Sequence, residues 1–565
     1  MEQRKPVGAH YTPAILADFL AGEIISSLRD SDKSKMLRVL DPAVGDGELL
    51  KSILNQLSAN GYVNVEVTGF DTDKNAALYA SERLRALFPA VSQKYFNENF
   101  LDFVQTNNGN DLFNTVNIEP FDVIIANPPY VRTQVMGAKL AQKLARQFHL
   151  SGRVDLYYAF IAGMAEVLKT GGIIGVIVSN RFMKTRSGNS VRKSMTEIFD
   201  IIHVWDFGDT QLFEAAVLPA VILAKRRNHA LPSEMRAAKF STIYSTDDIS
   251  EDYRCNNVIE ALAVTGIVRL ANDQCYHVQH GNLDFGTNSG DVWRLNVKGT
   301  DDWLRKVREN TYCTFGDIGK IRVGVKTTAD DVFINPDWDD MDREEQPELL
   351  KPLITHHIAR RYKAMDTTPQ KKILYPHVTE NGKRKTVDLE KYPKTAAYLN
   401  RYRSILEKRD YVMKSGRQWF EIWVPHHPHM WAQPKIVFRD ISKNATCWLD
   451  TSGAIVNGDC YWLTCNQASV ADILWLALAV GNSSFVETFY DHKFNNKLYS
   501  GRRRFLTQYV EQFPLPDPAR ALSKEIVSKT KKIYSITPSP EGDDLAEEID
   551  RLVGEAFGVA NQKNR

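Results

Sequence analysis

The chain has few cysteines and no cysteine pattern. Six occur in 565 residues, and the nearest pair, Cys460 and Cys465, forms no CxxC and no zinc-finger spacing. They read as reduced thiols of a cytosolic protein. No run of about 18 apolar residues occurs, so no helical membrane span is expected. The opening residues MEQRKPVGAH lack the apolar stretch of a secretory signal. Charge of one sign is also missing. The net charge is +2, which removes any whole-chain argument for a polyanion partner. There is no GxxxxGKS/T loop to grip a nucleotide phosphate, no internal repeat and no PD…ExK nuclease cluster. His426, His427 and His429 crowd together without zinc-ligand spacing or nearby cysteines, so no metal is expected.

What is present begins with length. A chain of 565 residues exceeds one compact core and predicts two or three domains. The first part alternates short apolar runs with helix-like segments. LRVLD (37–41), EVTGFD (66–71) and FDVIIAN (121–127) read as strands, as do GGIIGVIVSN (171–180), IIHVWDF (201–207) and VLPAVILAKR (217–226). Segments 46–59 and 74–88 read as helices. Asp41, Asp71 and Asp102 recur at the length of a strand–helix unit in a parallel sheet. The pattern predicts a doubly wound α/β domain over 1–240. Beyond it, Trp, Tyr, His and Pro become frequent and the alternation fades, which predicts a mixed α/β domain over 241–520. Helical periodicity marks a C-terminal segment, 521–565.

Three acid-ended strands surround a glycine turn. Asp41-Pro42-Ala43-Val44-Gly45-Asp46-Gly47 follows the first strand and opens a helix. Glycines there let the backbone turn tightly and approach a ligand. Asp71, ending the second strand, is placed to accept two ribose hydroxyls. Asp102 and Phe103, after the third, offer an acceptor for an adenine amino group and a ring for its face. The set suits an adenosine cofactor at the carboxyl edge of the sheet. Upstream, Thr12-Pro13 reads as the N-cap and first residue of an amphipathic helix carrying Ile15, Leu16, Phe19, Leu20 and Ile24.

Asn127-Pro128-Pro129-Tyr130 directly follows the apolar run FDVIIA. Two prolines end strand pairing and impose a rigid, extended turn. The Asn127 side-chain oxygen and the Pro128 carbonyl then form two fixed acceptors for the two hydrogens of an exocyclic amino group. Holding both returns electron density to the nitrogen, which can attack the methyl of a sulfonium cofactor in line. Tyr130 would stack on the base. An ordinary Pro-Pro turn is the plainer alternative, and it loses weight once the acid-ended strands precede the turn in order.

The ordered set HYTP, DPAVGDGELL, GFDTD, NFLDF and NPPY resembles the TaqI-type N6-adenine DNA methyltransferases. The resemblance is clear over residues 8–226 and weaker over 321–334 and 497–516. It implies a Rossmann-like methyltransferase domain with a mostly parallel seven-stranded sheet and a C-terminal target-recognition domain. S-adenosyl-L-methionine is implied as cofactor, held by Tyr11, Thr12, Asp41, Ala43, Gly45, Asp71, Asp102, Phe103 and Asn127. Asn127, Pro128 and Tyr130 are implied as catalytic, with Phe213 covering a flipped base from its other side; a buried core ring is the alternative for Phe213. The implied partner is double-stranded DNA, bound by a monomer, with a cognate restriction endonuclease sharing the site. The match starts within a dozen residues of Met1, leaving no room for a nuclease before it. RNA or protein amino groups are the alternative substrates, and a bifunctional restriction–modification enzyme is the alternative assembly.

Basic residues are concentrated late. Residues 351–417 hold 17 Lys+Arg against 6 Asp+Glu, and Lys493, Lys497, Arg502, Arg503 and Arg504 follow with no acid between them. Such a face suits phosphate contacts, or is simply solvated.

Overall fold

A computed structural model describes residues 11–28, 33–108, 119–131, 133–152, 154–213, 218–228, 237–250, 252–286, 288–296, 299–366, 370–465, 472–494 and 502–559. They form two compact units, one up to Asn296 and one from Gly299.

The first unit is built on β1 (Leu37–Asp41), β2 (Val65–Phe70), β3 (Ser92–Phe96), β4 (Phe121–Ala126), β5 (Leu168–Ser179), β6 (Phe199–Asp206) and β7 (Pro219–Arg226). Their order across the sheet is 3-2-1-4-5-7-6. Neighbours from β3 to β5 are parallel, while β7 runs antiparallel to β5 and β6. This is the doubly wound, mostly parallel seven-stranded core anticipated above. Its connections are α1 (Ala14–Ser27), which precedes β1, then α2 (Glu48–Ala59), α3 (Lys74–Leu87), α4 (Phe100–Asn108), α5 (Thr133–Met136), α6 (Ala138–Gln147) and α7 (Leu156–Val167). Alternate strand residues bury on opposite faces. Val39, Val67, Val123 and Ile125 pack with Leu16, Leu20 and Ile24 of α1. Leu40, Phe70, Ile124 and Ala126 pack with Phe100, Tyr157 and Phe160. Strand order reverses between β1 and β4, and the crevice beyond their carboxyl ends is where such sheets bind ligands.

The sheet does not stop at residue 240. β8 (Lys239–Ser245) joins β6 in parallel, and β9 (Tyr253–Cys255), β10 (Gly266–Leu270), β11 (Cys275–Asp284) and β12 (Arg294–Asn296) extend it. The expected boundary therefore falls inside a strand. The change of texture there has a physical cause. In β11 the exposed His277 lies between buried Tyr276 and Val278, and Gln279 to Asn282 are half-buried or exposed, because antiparallel strands can leave one face in water. At the carboxyl ends of β5, β6 and β8, Lys184, Asp206, Tyr244 and Asn180 form a buried network. Lys184 Nζ lies 3.0 Å from Asp206 Oδ2, Tyr244 donates to the same oxygen at 2.7 Å, and Asn180 donates to Oδ1 at 2.8 Å.

The second unit centres on an antiparallel four-stranded sheet, ordered Gly319–Val323, Cys460–Cys465, Lys435–Arg439 and Cys447–Asp450. Helices Ala521–Ile536 and Pro540–Ala556 are not a separate segment. Ile526, Ile549 and Leu552 share one core with Leu476 and Leu478 of helix Asp472–Gly481. Among the described residues, no single helix is long and apolar enough to cross a membrane.

Candidate active site

The glycine turn is held from below. Asp41, fully buried at the end of β1, accepts the Ala43 amide at 3.0 Å through Oδ1. Its Oδ2 is buried with no hydrogen-bond partner among the described residues. Burial pushes its carboxyl up to about 8, and the nearby carboxylates Asp71 and Asp46 add to the rise against the lowering by the Ala43 amide. Gly45, at φ +52°, sends its amide to Asp71 Oδ2 at 2.9 Å, and Asp71 Oδ1 accepts the Asp73 amide at 2.8 Å. Left-handed backbone at Gly45 is what lets the turn face that acid.

Beside the turn lies a cavity of about 310 Å³. Tyr11, Ala43, Gly45, Asp71, Phe100 and Phe160 line one part, and Asn127, Pro128 and Tyr130 another. Among the described residues, the lining carries the carboxylates Asp71, Asp73 and Glu98 and no Lys or Arg. Such a site favours a cationic ligand and disfavours a nucleoside phosphate. Asp41 lies beneath the cavity rather than in its wall, supporting the turn.

The NPPY turn is fastened at both ends of the asparagine amide. Asn127 Nδ2 donates to Thr12 Oγ1 at 3.0 Å, and the Tyr130 hydroxyl donates to Asn127 Oδ1 at 2.7 Å. Tyr130 meets the Tyr157 ring edge-on at 6.1 Å, and burial holds its phenol well above the usual range. Thr12 therefore does not cap α1, whose N-cap is Pro13 with no side-chain hydrogen bond. A hydroxyl 115 residues away in sequence instead fixes the Asn127 amide. His10 lies outside the described residues.

One expected pair is placed elsewhere. Asp102 is exposed on the outer side of α4, 3.6 Å from Lys143. Phe103 is buried against Phe70, ring centroids 4.7 Å apart. Neither lines the cavity; Asn99 and Phe100 do. The reason is helix phase. Asn99 accepts the Leu101 amide at 2.9 Å, so α4 starts at Phe100 and carries Asp102 round to the other side. The preference of Asn for N-caps was the signal that could have found this. Phe213 is likewise not in the cavity wall. It is 6% exposed in the core on the other face of the sheet, with Trp205, Phe207 and Ile243.

The late basic residues are partly structural. Arg503 is buried and bidentate to Asp491, and Arg504 pairs with Asp440, leaving Arg502 exposed. Within the histidine cluster, His426 Nε2 lies 2.7 Å from the Val323 carbonyl. Among the described residues no group of three His, Cys, Asp or Glu could hold a metal.

Comparison with known proteins fits this division of the chain. Residues 65–213 match the family described as Eco57I restriction-modification methylase, and residues 353–515 match the TaqI-like C-terminal specificity domain. The type II methyltransferase M.BanIII of Aneurinibacillus aneurinilyticus is 39% identical over 571 residues, spanning 99% of this chain and 98% of that protein. M.BstVI of Geobacillus stearothermophilus is 24% identical over 541 residues, 90% of each chain. A DrdV–DNA complex shares the fold across 94% of this chain and 58% of that one, at a TM-score of 0.52 and 13% identity. With a methylase matched ahead of a specificity domain and a full-length relative at this identity, the chain belongs to the type II methyltransferases of restriction–modification systems, of the TaqI type.

Proposed function

We propose that this methyltransferase moves a methyl group from S-adenosylmethionine to N6 of an adenine flipped out of duplex DNA. The observation that carries the reading is the shared cavity, in which the acid-lined glycine turn and the NPPY turn open onto one space. The residues fit the cofactor. The carboxylate-lined wall suits a sulfonium and an ammonium, and Asp71 retains lone pairs for ribose hydroxyls beyond the two amides it accepts. Phe100 and Phe160 supply aromatic surface for its adenine ring. S-adenosylmethionine, when bound, supplies an electrophilic methyl.

The chain's own residues do the rest. A target base must leave the stack, at a cost of a few kcal/mol, to reach this cavity. Tyr130 offers the ring on which it rests. Asn127 Oδ1 and the Pro128 carbonyl accept the two amino hydrogens, with Thr12 and Tyr130 preventing the amide from turning. The specificity domain grips the flanking duplex, through phosphates for position and base edges for sequence. The enzyme works as a monomer in a bacterial or archaeal cytoplasm, needs no metal, and marks a short sequence shared with a cognate endonuclease.

The test is to sequence DNA from cells expressing the full chain, reading modified bases directly. N6-methyladenine at one short motif is expected, and it is expected to vanish with Asn127→Ala while the variant still binds S-adenosylmethionine. Methylation confined to cytosine, RNA or protein would overturn the assignment.

A further inference from the structure

We infer that the excursion between the NPPY turn and α7 is a phosphate-gripping arm that holds duplex DNA beside the target base. This rests on the DNA reading above and deepens it. Residues 131–154 contain Arg132, Lys139, Lys143, Arg146 and Arg153 and no Asp or Glu, in a chain of net charge +2. No such imbalance is needed for folding, and like charges at Lys139 and Lys143, four apart on a helix, cost about 0.2–0.5 kcal/mol.

The arm is pinned at the reaction centre. The Leu156 amide donates to the Val131 carbonyl at 2.9 Å, and the Thr133 hydroxyl to the Val154 carbonyl at 3.0 Å. Val131 and Leu156 themselves line the cavity. One side of α6 is anchored, because Ala141, Leu144 and Phe148 are buried. The other side carries Lys139, Lys143 and Arg146, all exposed, at helical spacings of four and three that align them in one stripe. Lys143 has one acid near it, Asp102 at 3.6 Å, with both side chains more than half exposed. Such a pair is worth little. Lys139 and Arg146 have no ion-pair partner among the described residues. Seven residues of helix span roughly 10 Å, which matches about three phosphates at 3.4 Å of duplex axis each. A one-signed stripe of that length, rooted at the catalytic turn, fits the backbone of the strand whose base is being withdrawn.

The experiment uses the full-length protein and a duplex containing its methylation site, with binding followed from 50 to 400 mM salt. In K139Q/K143Q/R146Q, the slope of log affinity against log salt should fall by about 2.7, and affinity at 0.1 M salt should drop by as much as about 500-fold, if each contact releases about 0.9 counterion. S-adenosylmethionine affinity should not change. The charge-retaining K139R/K143R/R146K should keep the wild-type slope. A wild-type slope in the glutamine variant overturns the arm alone, as does an equal loss in the charge-retaining variant, which would report packing rather than charge. A wild-type protein that methylates no DNA overturns the arm together with the function on which it rests.

Discussion

Asp41 makes an unusual prediction: replacing its titratable carboxyl with an amide should benefit stability more and more as the pH rises. The carboxyl is fully buried, one oxygen has no partner among the described residues, and burial lifts its pKa from the usual 3.8 to about 8. In the unfolded chain the group ionises freely above its usual value. In the folded protein it keeps its proton up to about 8. The folded state thus binds more protons across that window, and stability falls as pH rises through it by about 1.4 kcal/mol per unit, roughly 6 kcal/mol in all as an upper bound. Asp41→Asn has no such term, and its side-chain oxygen can still accept the Ala43 amide. The stability gap between Asn variant and wild type should therefore widen by about 2.7 kcal/mol from pH 5 to pH 7. At about 2 °C per kcal/mol for a unit of this size, the first thermal transition of the variant should gain roughly 5 °C on wild type over that interval. Melting curves at pH 5, 6, 7 and 8 decide it. A gap that stays constant or narrows with rising pH would mean Asp41 is ionised in the fold, and the account of the turn would be wrong.

Other substitutions separate the roles assigned above. Thr12→Val removes the acceptor of the Asn127 amide, and losing a neutral hydrogen bond of about 1 kcal/mol should lower kcat about fivefold; an unchanged kcat in steady-state assays would refute the anchoring. Phe100→Leu should raise KM for S-adenosylmethionine about fivefold through loss of about 1 kcal/mol of ring contact, whereas Asp102→Asn should leave it unchanged; the reverse ranking would restore Asp102 to the site. Lys184→Met strands the buried Asp206 charge and should cost about 3–5 kcal/mol, with Lys184→Met/Asp206→Asn recovering much of it; chemical denaturation in which the single variant matches the double would refute the pairing.

Which parts were legible in the sequence follows from how local their determinants are. Asp41, Gly45, Asp71, Asn127 and Tyr130 sit immediately after apolar strands, so strand recognition alone delivers them to the carboxyl edge. The Asn99–Phe100 and Asp102–Phe103 pairs are chemically similar and three residues apart, nearly one helical turn. Choosing between them requires knowing where α4 begins, to within a single residue, and boundaries are the weakest part of a periodicity argument. Residue 240 misled for a related reason, because a parallel strand buried on both faces and an antiparallel strand half in water look different along the chain even when hydrogen bonding joins them in one sheet.

Thr12 shows a different kind of limit. Its sequence neighbourhood, a threonine before a proline and an apolar helix, argues for an N-cap, and that inference is sound as local physics. The capping role fails because the hydroxyl has a competing use. In the reaction proposed above, Asn127 exposes an acceptor to the substrate with its amide fixed, and a terminal amide torsion is soft, so something outside the turn has to hold it. Tyr130, three residues on, constrains the oxygen, and the nitrogen needs an acceptor from another element. Thr12, two residues before α1, supplies it. If this is why the threonine is there, Thr12→Ser should retain most of the rate that Thr12→Val loses, since the hydroxyl matters and the methyl does not. A serine variant as slow as the valine variant would shift the role of Thr12 from holding Asn127 to packing the methyl group.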